Sequence, residues 1–380
     1  MNSDFSSLLN FSRWFAAFLV AIGHVRHVAL VDYGLIRDKS LFIKFFYFMT
    51  GLGHEAVVIF FVISGYLVGG LTFRKWSSGV QYKEYFAARV SRVYTVLFPA
   101  LIVGGILDLV GSKFYDESMI YSSPDVFHTI SIDGVISEKL NAIAFFGNII
   151  NLEGVYFPIF GSNGPLWSLA YEWWYYVIFA VVLAIIFERW VFRKIIAILV
   201  LGVLIYFLKI KLILWILVWL FGVGVCLYLD SNLPRPPPYI GTFILFAAIF
   251  ISRLSHNTEN VTNPESMLVE FFRDFGVAVA FSIFLLSFYG RKSLFSGAKF
   301  HKYLADFSYS MYLFHFPLLI LIVAFSHDLF GFHFLMQPDK YGIAFVIVTT
   351  AVLYIYGLFM SVLTERNSGA VRKAILSSFL

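Results

Sequence analysis

Charge is what this sequence has least of. Only 13% of its 380 residues are Asp, Glu, Lys or Arg, against 60% that are hydrophobic, a balance that soluble domains do not carry. Cysteine occurs once, as Cys226 inside an apolar run, which excludes an intrachain disulfide framework and any cysteine-based metal site. The alternating ten-residue segments of a membrane β-barrel are missing. No long Lys/Arg block occurs, so the net charge of +5 points to basic loops flanking membrane spans and not to a nucleic-acid partner. The opening "MNSDFSSLLN" lacks a basic region and a small-residue cleavage pattern, so the first apolar run is expected to be retained as a span.

What is present is long apolar runs, with aromatics at 20% supplying lipid-facing bulk and interfacial anchors. The fold class expected is all-α: a polytopic helical membrane protein of about ten transmembrane helices. The candidate spans are 8–30, 44–71, 93–111, 165–187, 193–209, 212–229, 239–254, 271–289, 305–326 and 341–364. The fifth and sixth, joined through "LKIKL", are expected to form a tight antiparallel pair, and "PRPPP" (234–238) makes a stiff connector. Both termini are expected to be cytoplasmic, because that orientation puts the largest Lys/Arg clusters, led by Arg74, Lys75, Lys83, Arg89 and Arg92, inside. The long external connection, 112–164, holds an acidic polar stretch at 115–134 and the apolar piece "NAIAFFGNII", too short to span and read as a re-entrant or interfacial helix. Residues 1–380 read as one transmembrane domain without an appended soluble domain, membrane lipids being its surroundings.

The stretch "FSRWFAAFLVAIGHVRH" (11–27) places Arg13 and His24 in one apolar span. Eleven residues apart, they fall within about 20° of one helix face and about 16 Å along the axis. A charged side chain near the bilayer centre costs at least about 2.5–3.5 kcal/mol, so such groups normally face protein or a wet cavity. One reading has Arg13 reaching the headgroups and His24 making a helix contact; the other makes them a functional pair, with His24 a base usable near neutral pH. His27 lies one turn on, but no third ligand accompanies the two histidines, so no metal is expected.

Three further groups stand out. Arg89 and Arg92 in "FAARVSRVYTVLFPAL" are three apart on one face, where planar guanidinium forks suit phosphate; positive-inside anchoring explains them as well. In "GPLWSLAYEWWYYVIFA" Glu172 lies early in a span, one turn after Ser168, amid Trp167, Trp173 and Trp174. A carboxylate there calls for a cation, a protonated partner or catalytic duty, while the tryptophans serve as interfacial anchors or sugar-stacking surfaces. In "ADFSYSMYLFHFPLLI" Ser308, Tyr312 and His315 form a polar stripe on an apolar helix that Pro317 can kink. The small residues Ser64, Gly65, Gly69 and Gly70 of "FFVISGYLVGG" point to close helix packing, and Glu365 ends the last span as an interfacial residue.

Arg13-x10-His24, "FFVISGYL", "RVSRVY", "WSLAYE" and "YSMYLFHFP", in this order on a ten-span chain, resemble the acyltransferase-3 family of bacterial membrane proteins. The resemblance implies transfer of an acyl group, usually acetyl, from cytoplasmic acyl-CoA to a carbohydrate handled at the other face. By position it implies Arg13, His24 and Glu172 as catalytic residues, and Arg89 and Arg92 as contacts to the donor. It adds Ser308 and His315 by position; together with Tyr312 of the polar stripe and Trp167 beside Glu172, they are expected as contacts to substrate. The proline that often follows the glutamate of the family's last span is absent from "LTERNSGA". Many members carry an added extracytoplasmic domain; this chain is expected to act as a stand-alone module of the bacterial inner membrane. Acetyl-CoA is expected as co-substrate, with no permanently bound cofactor, and a polysaccharide or lipid-linked sugar as acceptor. His24 would be general base or acyl relay. The competing expectation is a transporter or flippase for an anionic lipid-linked saccharide, which would consume no acyl-CoA. Small-residue stretches pack helices within and between chains alike, so they leave the oligomeric state open.

Overall fold

A computed structural model describes residues 3–76, 82–123, 134–255, 264–291, 297–332 and 334–378. Part of the polar stretch 115–134 therefore lies outside the described residues. Helices dominate, and two isolated bridges, Leu30 with Met336 and Glu153 with Phe157, are the only extended pairings among the described residues.

In chain order the helices are α1 (Ser3–Ala29), α2 (Leu41–Met49), α3 (Gly53–Ser64), a π-helical turn at Gly65–Gly70, α4 (Leu71–Trp76), α5 (Tyr82–Phe114) and α6 (Ala142–Ile149). There follow α7 (Trp167–Phe187), α8 (Val191–Phe207), α9 (Ile210–Asp230), α10 (Pro238–Leu254), α11 (Pro264–Phe288), α12 (Ala298–Ala305), α13 (Ser308–Phe330), α14 (Lys340–Leu363) and α15 (Ser368–Ser377). Eight segments among the described residues are long and apolar enough to cross a membrane. The protein is a polytopic helical membrane protein. The fifth and seventh expected spans are helices of 17 residues each, α8 and α10, about 25 Å of rise against a hydrocarbon core of about 30 Å.

Two boundaries and one packing contact differ from the sequence pattern for physical reasons. α5 starts well before the apolar run, because "YKEYFAARVSRVY" holds good helix formers and no breaker; Arg89 and Arg92 thus lie inside a regular helix. The second span is broken after α2, where the Thr50 side chain bonds back to the Phe46 carbonyl at 2.7 Å. The expected α8–α9 pair is not close-packed: α8 buries only Ala197, and around its one glycine, Gly202, nothing lies within 4 Å. Without a small-residue face, α8 has no surface on which α9 can approach.

The helices group into two compact units. The first comprises Met1–Ala16, His54–Phe86 and Tyr171–Ala305. In it α9 packs on the π-helical turn and on α11, and α11 packs on α10. The small residues of "SGYLVGG" make the first contact possible: Gly65 meets the Trp219 backbone, Gly69 meets Trp219 and Val223, and Gly70 meets Cys226. Trp215 and Trp219 are fully buried there.

The second unit comprises Ala17–Gly53, Ala87–Ala170 and Asp306–Leu380. Its core gathers Val25, Val28, Ile43, Phe316, Leu319 and Ile320, with α13 packed on α14. Glu365 is buried here: its Oε2 accepts from both the backbone N–H and the hydroxyl of Ser310, each at 3.0 Å. A carboxylate placed on the first-turn donors of α13 caps that helix from outside. Pro317 lacks the N–H that would bond the Leu313 carbonyl; the Asn163 side chain donates to that carbonyl instead, at 2.9 Å.

Candidate functional site

Within the second unit, α1 and α13 bring two of the expected residues together. His24 Nδ1 lies 2.8 Å from His315 Nε2. The ring planes differ by only 7° with centroids 5.1 Å apart, the separation expected when a 2.8 Å bond runs edge to edge in a common plane. His315 is 1% exposed, whereas His24 is half-buried. Phe316 meets both rings at nearly right angles. Gly23 lets α1 come this close to the chain at Thr50, whose carbonyl oxygen would sit 2.8 Å from a Cβ at that position.

The other members of the α13 stripe are buried and occupied. The Tyr312 hydroxyl lies 2.7 Å from Ser168 Oγ and 3.1 Å from the Pro165 carbonyl. With Asn163 on Leu313, these bonds tie the segment before α7 to the helix that carries His315. Ser308 is buried at the start of α13, and Trp167 is half-buried at the start of α7. One turn apart on α5, Arg89 and Arg92 are both half-buried, and the Arg92 guanidinium stands 5.3 Å over the Tyr309 ring.

Arg13 and Glu172 belong to the first unit. Both are half-buried. Glu172 Oε1 accepts from the Ser64 hydroxyl at 2.5 Å and from the Tyr176 hydroxyl, and Trp219 Nε1 donates to Ser64 Oγ at 3.2 Å. The serine of "SGYL" therefore has a polar task besides being small, which the sequence pattern alone does not reveal. It is the residue at which the π-helical turn begins, and such turns re-aim side chains.

Sequence reasoning passes over a second polar cluster in this unit. His54 Nε2 lies 2.8 Å from both Asp274 oxygens, Trp215 Nε1 donates to Asp274 Oδ2 at 2.8 Å, and Lys211 Nζ pairs with Glu270 at 2.9 Å. One ligand atom each of His54, Glu270 and Asp274 falls within 4.8 Å of the others, a spacing that a metal ion could use. Those lone pairs are engaged by Lys211 and Trp215, with Arg273 3.6 Å from Asp274, so the cluster is already neutralised by protein cations. Its signal is available: Asp274 is a carboxylate within an apolar span, as Glu172 is. His27 Nε2 lies 4.0 Å from Asp32 Oδ1.

The segment 151–163 is also silent in the sequence. The Ser162 backbone N–H and hydroxyl each donate to Asp108 at 2.7 Å, and at Gly161 (φ +62°) a Cβ would lie 2.2 Å from Asp108 Oδ2. Only glycine accepts both that φ and that approach. Nearby, Asn151 Nδ2 donates to the Tyr94 hydroxyl at 3.1 Å. Glu153 is fully buried, and neither carboxylate oxygen is bonded by another residue among those described; burial pushes this carboxyl well above the usual range. A raised acid stabilises the fold while protonated, and that contribution is lost as pH rises through the folded value. Glu153→Gln, which mimics the neutral acid, is therefore expected to match the wild type in thermal stability at mildly acidic pH and to exceed it increasingly at alkaline pH. Parallel melting curves across that range check this; equal slopes would contradict it.

A family model described as an acyltransferase domain matches residues 8–364. Among curated proteins, an uncharacterized protein of Haemophilus influenzae (strain Rd) is 28% identical over 157 residues, covering 40% of this chain and 56% of that protein. The peptidoglycan O-acetyltransferase OatA of Listeria monocytogenes is 30% identical over 146 residues, covering 37% of this chain and 21% of that protein. The chain thus matches about half of the first relative and about a fifth of the second. No solved structure matches it. With the family model covering nearly the whole chain, its ordered motifs set on a bundle of apolar helices, this protein belongs to the acyltransferase-3 family of membrane acyltransferases.

Proposed function

We propose that the protein transfers an acyl group, acetyl in the first instance, from acyl-CoA to a hydroxyl of a cell-surface or exported saccharide, with His24 as the general base. The observation that carries this reading is the half-buried His24 imidazole, held at Nδ1 by a buried neighbour and free of hydrogen bonds at Nε2 among the described residues. An imidazole anchored at one nitrogen and open at the other can take a proton from an attacking hydroxyl. In the transfer, the acceptor oxygen bonds to the thioester carbonyl carbon and the carbon–sulfur bond breaks. The hydroxyl proton passes to His24 Nε2 and then to the CoA thiolate. Arg89 and Arg92 would hold the phosphates of the CoA moiety, to which planar guanidinium forks are suited. Glu172, with Ser64 and Tyr176 around it, and Arg13 are proposed as further functional residues on the strength of the family motifs alone. The peptidoglycan O-acetyltransferase relative supports acetyl as the group and an envelope glycan as acceptor. The bacterial inner membrane, with the donor site facing the cytoplasm, fits the basic cluster around Arg89 and Arg92.

The test uses purified protein in liposomes with acetyl-labelled acetyl-CoA and an envelope saccharide extract. Acceptor-dependent release of free CoA, with label in the saccharide, is expected. Arg92→Ala should raise KM for the donor by about 10–100-fold, the value of one hydrogen bond to a charged group, with kcat little changed. Movement of a lipid-linked saccharide across the bilayer, without turnover of any acyl-CoA, would replace this reading with the transporter.

A further inference from the structure

We infer that His315 is a positioning residue that sets which ring nitrogen of His24 carries the hydrogen, making Nε2 the basic atom. The inference rests on the general-base reading of His24 and adds the group that prepares it.

Its starting point is a carbonyl. His315 Nδ1 lies 2.7 Å from the Tyr312 carbonyl oxygen, and a carbonyl oxygen can only accept, so Nδ1 bears the hydrogen. A neutral imidazole has a single N–H. His315 is 1% exposed, and no carboxylate among the described residues is bonded to it; a buried imidazolium without a counter-ion is costly, so the ring is neutral and Nε2 presents a lone pair. The atom facing that lone pair is His24 Nδ1, at 2.8 Å. Two lone pairs cannot face each other at this distance, so His24 Nδ1 donates. His24 is then N–H at Nδ1 and bare at Nε2, the nitrogen that makes no hydrogen bond among the described residues.

The geometry of the pair supports this order. A 7° angle between coplanar rings directs the N–H along the axis of the facing lone pair, and Phe316, edge-on to both rings, opposes rotation of either. The carbonyl that begins the sequence sits on a stretch of α13 held from outside by Asn163 on Leu313 and by Ser168 and Pro165 on Tyr312. The Leu313 carbonyl that Pro317 leaves open, the segment before α7 and the two histidines therefore form one line of support ending at His24 Nε2. When Nε2 takes the acceptor's proton, the charge on His24 is shared with His315 through the same bond, since the His315 lone pair can accept the Nδ1 hydrogen. No proton leaves by Nδ1 of His315, whose hydrogen ends on a carbonyl.

The test reads the ring directly. Nitrogen-15 histidine spectra of the full chain in nanodiscs should show His24 with its hydrogen on Nδ1, and coupling across the bond to His315 Nε2. His315→Phe keeps a flat ring but removes the acceptor; the His24 preference should vanish and kcat should fall about 100-fold, within the 10²–10⁴ that a correctly protonated base contributes, with KM for acyl-CoA unchanged. His315→Gln, whose amide oxygen can stand where Nε2 stood, should recover most of the loss, which a purely space-filling role would not predict. A wild-type His24 with its hydrogen on Nε2, or a His315→Phe variant with wild-type kcat, overturns the inference. If His315→Phe does not fold, the wild-type spectrum and the Gln variant decide. If the wild type transfers no acyl group at all, the spectra still decide the proton arrangement, so that failure is separate from this one.

Discussion

Replacing His24 by alanine is expected to lower acyl transfer by about 10²–10⁴-fold, the contribution of a positioned general base, while the protein still folds and still binds its donor. The site is half-buried, and among the described residues the imidazole makes its single side-chain hydrogen bond to His315. Removal leaves the His315 lone pair unpaired, a cost of about 1–3 kcal/mol, so the melting point should fall by a few degrees without loss of the folded state. Donor KM should stay near the wild-type value, because Arg89 and Arg92 are untouched. A second readout separates the two duties open to this histidine. Acyl label trapped on the protein when acceptor is withheld, and absent from His24→Ala, would make His24 an acyl carrier; no trapped label alongside a lost rate would leave it a base. A His24→Ala protein with full activity would remove His24 from the chemistry altogether.

The candidate residues, though not their arrangement, are legible in the amino-acid sequence, and for a definite reason. In an apolar chain every charged or polar residue carries an insertion cost, so those that remain are worth naming. That rule singles out Arg13, His24, Glu172 and the stripe on α13, and helical spacing puts Ser308, Tyr312 and His315 on one face. The pairing of His24 with His315 is hidden, because the residues are 291 positions apart and neither segment carries a mark of the other. Nor is the use of His315 legible: exposed, it would read as a contact to substrate, and only its 1% exposure and its two bonds show that its nitrogens are engaged within the protein. Asp108, Glu153 and Asp274 obey the same rule as Glu172. Context hides them, Asp108 and Asp274 within runs that read as lipid-facing and Glu153 within a loop that reads as solvated. Segment ends fail where composition and conformation part company. The polar start of α5 is helical although it is not apolar, and α8 is apolar throughout yet buries only Ala197.

Gly222→Ala should cause one of the two largest losses of stability of any single methyl group added to the first unit. A Cβ on Gly222 would lie 1.9 Å from the Val62 carbonyl oxygen and 2.4 Å from the Tyr66 nitrogen. Those are backbone atoms of α3 and of the turn that follows it, so no side-chain rotation relieves the clash, and the two helices must move apart. The reciprocal contact is as close, with a Cβ on Gly65 falling 1.9 Å from the Trp219 carbonyl oxygen. Overpacking against side chains costs about 1–3 kcal/mol; a backbone obstacle on both sides puts this substitution at about 3 kcal/mol or more. Function should suffer with stability, since Trp219 Nε1 donates to Ser64 and Ser64 donates to Glu172 across this same contact. Gly224→Ala supplies the control: it lies two residues further along α9, where a Cβ meets nothing within 4 Å. Glycine in a helix interior costs about 0.5–1 kcal/mol relative to alanine, so that variant should melt at or slightly above the wild-type temperature. Thermal unfolding in detergent, followed by tryptophan fluorescence, compares the three proteins. A Gly222→Ala variant as stable as Gly224→Ala would mean that α3 and α9 do not approach this closely, and the bond from Trp219 to Ser64 would lose its geometric basis with them.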